Sequence, residues 1–219
     1  FRPRLRGNLK KAFFNITKKE TRVLVIGDLH EPFCLDGYLE HCKDVYAKWN
    51  CNRVVQIGDV IDNHYSSYHA IKKLSKWHKA FPKADVTIGN HDRLIRRKAF
   101  SGGIPKQWIK EYSEVLGVKG WNFTDRVVID GVQYIHGESG KAIKKAKDDM
   151  MSTVQGHRHT ECGVEWAVGA NFKIFGCAVG CGIDNTSYGM AYGKNFKKPA
   201  ISCAVVFGGK YAINQPMDL

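Results

Sequence analysis

Short apolar runs alternate with amphipathic stretches through the first half of the chain. Val23-Leu24-Val25-Ile26 stops at Gly27-Asp28, Val54-Val55-Gln56-Ile57 stops at Gly58-Asp59, and the run over 84–88 stops at Gly89-Asn90. Continuous apolar runs closed by turn residues predict strands buried on both faces. The stretches between them, about 35–49 and 68–80, read as helices. Strand, helix, strand, helix, strand at this spacing predicts a parallel α/β sheet. The second half has a different rhythm. Runs over 123–129 and 132–136 flank Asp130-Gly131, a strong hairpin signal. A Lys-rich helical segment over 141–150 precedes a strand at 153–155, and β-like runs follow at 164–168, 172–179 and 201–213, the last broken by Gly208-Gly209. The expectation is one α/β domain over 22–219, parallel strands first and mainly antiparallel strands after.

Composition adds little to the fold and more to the choice of partner. The chain has 219 residues, 43% hydrophobic and 25% charged, enough for one sizeable core and unlike a disordered chain. Its formal net charge of +13 favours anionic partners: nucleic acid, an acidic protein or a phosphorylated substrate. Part of that surplus lies in the first 22 residues, in Arg2, Arg4, Arg6, Lys10, Lys11, Lys18, Lys19 and Arg22, and residues 1–21 read as a basic arm leading into the domain, either solvated or in contact with nucleic acid. No apolar run approaches the ~20 residues of a membrane helix, so no membrane partner is expected. The seven cysteines include no CxxC pair and read as buried thiols in a reducing cytoplasm.

Metal-type side chains recur just after the predicted strands. The first strand delivers Asp28 and His30, the second Asp59 and Asp62, and the third Asn90, His91 and Asp92; His136 follows the hairpin, and His157 and His159 follow the strand at 153–155. Open α/β sheets gather ligands at the carboxyl ends of their strands, which predicts convergence on one rim. Any one of these residues alone reads as a cap or a core histidine, but five clusters in order, each beside a glycine, do not. Mixed Asp, Asn and His donors suit borderline divalent ions, Mn²⁺ foremost, then Fe²⁺, Zn²⁺, Ni²⁺ or Co²⁺, with Mg²⁺ also accommodated. The number of ligands suggests two ions. Two ions ~3.5–4 Å apart share a bridging carboxylate, clamp a phosphate and activate water, which points to phosphoester hydrolysis.

The blocks GDLH (27–30), GDVID (58–62), GNHD (89–92), IHG (135–137) and GHRH (156–159) resemble those of the calcineurin-like metallophosphoesterase superfamily. The resemblance implies a four-layer α/β/β/α sandwich of two mixed sheets flanked by helices. By that likeness Asp28, His30, Asp59 and His159 hold one ion, Asp59 bridges, and Asn90, His136 and His157 complete the second. His91 assists the leaving oxygen or the transition state, oriented by Asp62 or Asp92, with Asp62 preferred. Ser/Thr protein phosphatases of the superfamily carry Arg-Gly after the second block and Glu after the catalytic histidine. Asn63-His64 and Asp92 stand there in this chain, which disfavours that branch. The GNHD form is similar to nuclease and phosphodiesterase branches, and the compact chain resembles phage-encoded members, whose cytoplasm is the host's.

Charge placement narrows the substrate further. Arg93, Arg96, Arg97 and Lys98 follow the third block, and Lys141, Lys144, Lys145 and Lys147 lie between the fourth and fifth. A basic margin on a two-metal rim suits a polyanionic backbone, and the other reading is two solvated helix faces. Arg93, Arg97, His64 and Lys141 are the candidate substrate contacts, with His69 a surface or neighbouring position. Among the aromatics, Tyr65, Tyr68, Trp77, Phe100, Trp108, Tyr188 and Tyr192 are candidates for stacking on bases, or for the core. The Gly-rich stretch 180–190 reads as a substrate loop or a plain connection. The expected activity is phosphodiester hydrolysis, of nucleic acid, by a metal-activated hydroxide with His91 assisting. The alternatives are a phosphomonoesterase acting on a nucleotide or phosphoprotein, and a binding scaffold that has lost catalysis.

Overall fold

A computed structural model describes residues 20–62, 67–184, 186 and 198–218, apart from the side chains of 67 and 68. The run Arg22–Ile26 forms β1, and its alternation divides the core. Leu24 and Ile26 point into a layer with the helix α1 (Tyr38–Lys48) and with Leu74 and Trp77 of α2 (Ser67–Ala80), while Val23 and Val25 point to the opposite side. Because both faces are covered, the strand is apolar from Val23 to Ile26. Full burial of each such side chain contributes about 1.5–3 kcal/mol.

Strand β1 pairs in parallel with β2 (Arg53–Gln56), β2 with β3 (Ala84–Thr87) and β3 with β4 (Trp121–Thr124). On its other edge β1 meets β10 (Ser202–Phe207), antiparallel, followed by β11 (Tyr211–Pro216). The second sheet runs β5 (Arg126–Ile129), β6 (Val132–Ile135), β7 (Ser152–Gln155), β9 (Lys173–Ala178) and β8 (Gly163–Val168) in spatial order. Val23, Val25, Val55 and Ile57 meet Val132, Tyr134, Val154, Phe175 and Cys177 between the sheets. A short helix, α4 (Tyr112–Val115), precedes β4, and on the outer face of the second sheet Ala146 of α5 (Ala142–Asp148) packs on Ala167 and Ile174. Helix, sheet, sheet, helix is the four-layer arrangement expected from the motifs.

Two expectations fail in instructive ways. The apolar run over 123–129 is not one strand: it breaks at Asp125, with β4 in the first sheet and β5 in the second. The second half is also less antiparallel than its hairpin suggests, because β6, β7 and β9 pair in parallel. The connection between β6 and β7 is long enough to hold α5 and so permits a crossover. The Asp130-Gly131 turn itself forms as expected, with both residues at positive φ. Of the basic arm, 1–19 lies outside the described residues. Among the described residues no helix is long and apolar enough to cross a membrane, and the cysteines are unpaired and buried except the exposed Cys162.

Candidate metal centre

The parallel strands β1, β2 and β3 of one sheet and β6 and β7 of the other all end at one rim, where the five sequence blocks begin. The loops there are tied to each other. The His30 and Leu29 amides donate to Asp59 O at 2.8 and 3.2 Å, and the Asp62 amide donates to Glu31 O at 2.9 Å. Gln56, the polar residue of β2, braces the turn behind Asp59: its Nε2 donates to Gly58 O at 2.9 Å, and its Oε1 accepts the Gly58 amide at 2.8 Å. These contacts hold His30 and Asp59 at φ 46° and 48°, and His157, whose amide donates to Asp28 Oδ2 at 2.9 Å, stands at φ 66°. Side chains rarely adopt this left-handed region, and strain of this kind persists where the surrounding structure over-determines it.

The side chains brought together include two sets that share Asp59, and a third, His30, Asp62 and His91, adjoins the first. Asp28, His30, Asp59 and His159 offer ligand atoms all within 4.8 Å of one another, and so do Asp59, His136 and His157. Asn90 joins the second set, its Oδ1 lying 2.9 Å from His136 Nε2. Within the sets, His30 Nε2 and His136 Nε2 each lie 3.3 Å from Asp59 Oδ2, and His159 Nε2 lies 3.0 Å from Asp28 Oδ2. His136 Nδ1 lies 3.0 Å from the carbonyl oxygen of Ile57. A carbonyl only accepts, so Nδ1 carries a proton and the ring aims Nε2 at Asp59, Asn90 and His157. Gly58 makes this approach possible: at φ 101° it has no Cβ, and one placed there would stand 2.6 Å from His136 Nδ1. At Gly89 a Cβ would collide with Asp59 Oδ1.

The electrostatics call for positive charge at this rim. Asp28, His30 and Asp59 are fully or almost fully buried. Burial alone would push the His30 imidazole down, yet hydrogen bonding to Asp59 and Asp62 and the charges of Asp59 and Asp28 raise its pKa to about 10. For His136 burial also works downward, and Asp28 and Asp59 carry it up to about 9. Burial works upward on Asp59, but His136 and His30 hold its carboxyl well below the usual range. His157 behaves differently: burial and the neighbouring His136 keep its pKa lowered. Protons on imidazoles thus offset carboxylates that divalent cations would offset better. Asp28 Oδ1, buried and accepting no hydrogen bond among the described residues, is a further oxygen suited to a cation. The donor set, the crowding around Asp59 and this oxygen all fit divalent ions.

His91 opens the helix α3 (Asn90–Ser101) beside these sets. Its amide donates to Asp59 Oδ1 at 2.9 Å, and its Nδ1 lies 3.3 Å from Asp62 Oδ1. Asp92, the other candidate partner, is placed elsewhere: its Oδ2 accepts the Gly89 amide at 2.9 Å and its Oδ1 accepts the Val60 amide at 3.0 Å. It caps α3 and fastens that helix to the Asp59 loop. Burial, then the charge on Asp59, raises its pKa to about 6.

From Asn90 a cleft of about 670 Å³ runs along α3, lined by Arg93, Arg96, Arg97, Tyr112, Asp125 and Glu138. Two of the sequence candidates, Arg93 and Arg97, are therefore beside the rim. Lys141 is not on this cleft; its ammonium stands 3.9 Å from Glu165 of β8. His64 lies outside the described residues, as do Tyr65, Tyr188 and Tyr192. His69 is exposed on α2 in a hollow with Lys72, Lys73 and Lys76. Trp77 is a core residue, fully buried with its Nε1 donating to Glu31 at 2.9 Å. The described part of the Gly-rich stretch sits at the rim, with the Gly182 amide donating to Asp28 O at 2.8 Å. Sequence reasoning missed Gln56, Tyr112, Asp125 and Glu138. Only Gln56 carried a signal, as an amide in an otherwise apolar strand.

No curated protein matches the chain. Among solved structures, a metallophosphoesterase from Sphaerobacter thermophilus is 12% identical with a TM-score of 0.51, covering 91% of this chain and 89% of that chain. Vacuolar protein sorting 29 from Cryptosporidium parvum is 14% identical with a TM-score of 0.49 over 91% and 99% of the two chains. The nuclease MPE of Pseudomonas putida is 15% identical with a TM-score of 0.45 over 89% and 87%. The family model for calcineurin-like phosphoesterases matches residues 21–172, well over half of the sequence. On that match, and on a rim where all five sequence blocks meet, the chain belongs to the calcineurin-like phosphoesterase family.

Proposed function

We propose that this protein is a phosphodiesterase that uses two divalent ions, with nucleic acid as its substrate class. The observation that carries the reading is the pair of ligand sets sharing Asp59, with His91 beside them and a cleft bearing Arg93 and Arg97 leading away. In this reading Asp28, His30, Asp59 and His159 hold one ion, and Asp59, Asn90, His136 and His157 hold the other. Bound there, two divalent cations supply charge to clamp a phosphate and to acidify water.

The residues of the chain do the rest. Asp62, itself buried, accepts from His91 Nδ1 and fixes the imidazole plane. This leaves His91 Nε2 to carry a proton toward the leaving oxygen. Arg97 meets a neighbouring phosphate of the same strand, which a mononucleotide or a phosphoprotein does not possess. That extra contact favours a diester within a strand over those monoesters.

The test is a paired assay on metal-free protein reconstituted with Mn²⁺, comparing bis(p-nitrophenyl) phosphate with p-nitrophenyl phosphate. Diester turnover is expected to exceed monoester turnover and to fall about 100-fold or more in His91→Ala, with metal content near that of the unaltered protein. Preference for the monoester moves the assignment to a phosphatase. Diester turnover that survives His91→Ala removes the role given to that histidine.

A further inference from the structure

Between Arg93 and Lys110 the chain carries Arg93, Arg96, Arg97, Lys98, Lys106 and Lys110 and no acidic residue at all. This segment leaves the rim as α3, turns at Gly102-Gly103 and folds back through a 3₁₀ turn at Lys106–Trp108. Arg96 fastens the return. Its Nη2 donates to Lys110 O at 3.1 Å and to Glu111 Oε2 at 2.9 Å, and its guanidinium lies 4.0 Å from the centre of the Tyr112 ring. On this braced outcrop Phe100 is 80% exposed and Trp108 79% exposed. Ile95 and Ile104 nearby in sequence are about half exposed. Arg97 and Lys98 form no ion pair among the described residues.

Large aromatic rings left in water beside unneutralised cations mark a contact surface. The charge decides among the possible occupants. A second copy docking through the same patch would set these cations against themselves, which disfavours association. A bilayer surface would satisfy the charge but not the shape, because the outcrop continues into the concave cleft that starts at Asn90. A strand of nucleic acid satisfies both, with phosphates for the cations and a flexible path into the cleft. In a duplex the base faces are stacked on one another and closed to Phe100 and Trp108; in a single strand they are open.

We propose that the α3 outcrop is a docking platform for single-stranded nucleic acid. Phe100 and Trp108 stack on unpaired bases, and Arg97, Lys98 and Lys106 meet the phosphates between them. The proposal deepens the nucleic-acid reading above and rests on it for the direction in which the strand runs, toward the rim.

The experiment measures fluorescence anisotropy of the full metal-loaded chain with three labelled probes that resist cleavage through phosphorothioate linkages. They are an oligothymidine of about twenty nucleotides, an abasic strand of the same length, and a blunt duplex. Stacking is worth enough per base that the oligothymidine is expected to bind about tenfold or more tighter than the abasic strand. Phe100→Ala/Trp108→Ala is expected to weaken oligothymidine binding about 10- to 100-fold and abasic binding less than about twofold. Both positions are exposed, and circular dichroism checks that the variant is folded. Equal affinity for thymidine and abasic strands overturns the proposal, and so does a double variant that binds like the unaltered protein. A duplex that binds best overturns it too, as does a dimer, or capture by phosphatidylserine vesicles, that the double variant abolishes while strand binding is absent. Turnover of bis(p-nitrophenyl) phosphate by the unaltered protein is measured alongside. An inert protein that still distinguishes bases from abasic sites keeps the platform and removes the chemistry; an active protein that makes no distinction does the reverse.

Discussion

Two helices that read alike in the sequence do different work in the fold. Arg93, Arg96, Arg97 and Lys98 on α3, and Lys141, Lys144, Lys145 and Lys147 at α5, each follow a motif block and each promise a basic margin to the rim. On α5 most of the promise is cancelled: Lys144 reaches Asp148 at 2.6 Å, Lys145 reaches Asp149 at 3.0 Å, Lys141 faces Glu165, and of the four only Lys147 forms no ion pair among the described residues. Its other face is small and buried, with Ala142 and Ala146 against the second sheet. On α3, Arg93 is bridged to Asp125 and Glu138, while Arg97 keeps its charge on the cleft. A count of cations therefore says less than where the acids fall. Acids four residues on along the same helix neutralise it; acids on other elements hold an arginine in place without removing its neighbours' charge.

If α5 serves packing rather than substrate, breaking its seat costs stability and leaves chemistry alone. The seat is Gly176 of β9, where an added Cβ would collide with the backbone of Ala142 and Ile143. Backbone cannot yield as a side chain does, so Gly176→Ala is expected to destabilise by about 2 kcal/mol or more. In a domain of this size that is a fall in Tm of about 4–8 °C. Diester turnover per folded molecule, measured below the transition, is expected to stay within about twofold of the unaltered protein. A variant as stable as its parent would mean that α5 does not press on β9 as described; a folded variant with lost turnover would make α5 part of the site.

Truncating one cation on each helix tests the charge side of the comparison. Arg97→Ala is expected to raise KM for an oligonucleotide about five- to tenfold and to lower the salt slope by about one phosphate contact. Lys144→Ala is expected to change both by less than about twofold, since its ammonium is already matched by Asp148 on an exposed helix face. Equal effects from the two variants would erase the distinction between the helices.

The contrast also marks how far the sequence could be read. Ligand types, order and neighbouring glycines announced the rim, because the chemistry demands particular side chains just where strands end. Asp148 and Asp149 were visible too, and with them part of the cancellation on α5. What pattern could not reveal is tertiary. The break at Asp125 sends one apolar run into two sheets, and only packing decides that. Asp92 looks like a partner for His91 by adjacency, yet the geometry of a helix start turns its carboxylate to the amides of Gly89 and Val60. Tyr112, Asp125 and Glu138 reach the cleft from segments with no shared spacing. Trp77 and Trp108 read alike as aromatics among lysines, and one is core while the other faces water.

The smallest expected effect is the acid sensitivity of α5. Asp149 accepts from Gln133 Nε2 at 2.7 Å and from Lys145 Nζ at 3.0 Å, and these two contacts, the Gln133 bond first, hold its carboxyl below the ordinary range. A carboxyl whose folded pKa is depressed stabilises the fold above its unfolded value, near ~3.9, and loses that contribution as pH falls through the folded pKa. Neutralising Asp149 would therefore free Lys145 and loosen the C-terminal end of α5 from Gln133 on β6. Asp149→Asn removes the titrating group, so the fall in Tm between pH 6 and pH 3 is expected to be shallower in the variant. The group is partly exposed, and the difference stays below about 1 kcal/mol, the ordinary ceiling for a surface pair. Superimposable acid limbs would mean that solvent already screens these contacts, and that α5 is held by Ala142, Ala146 and its seat on Gly176 alone.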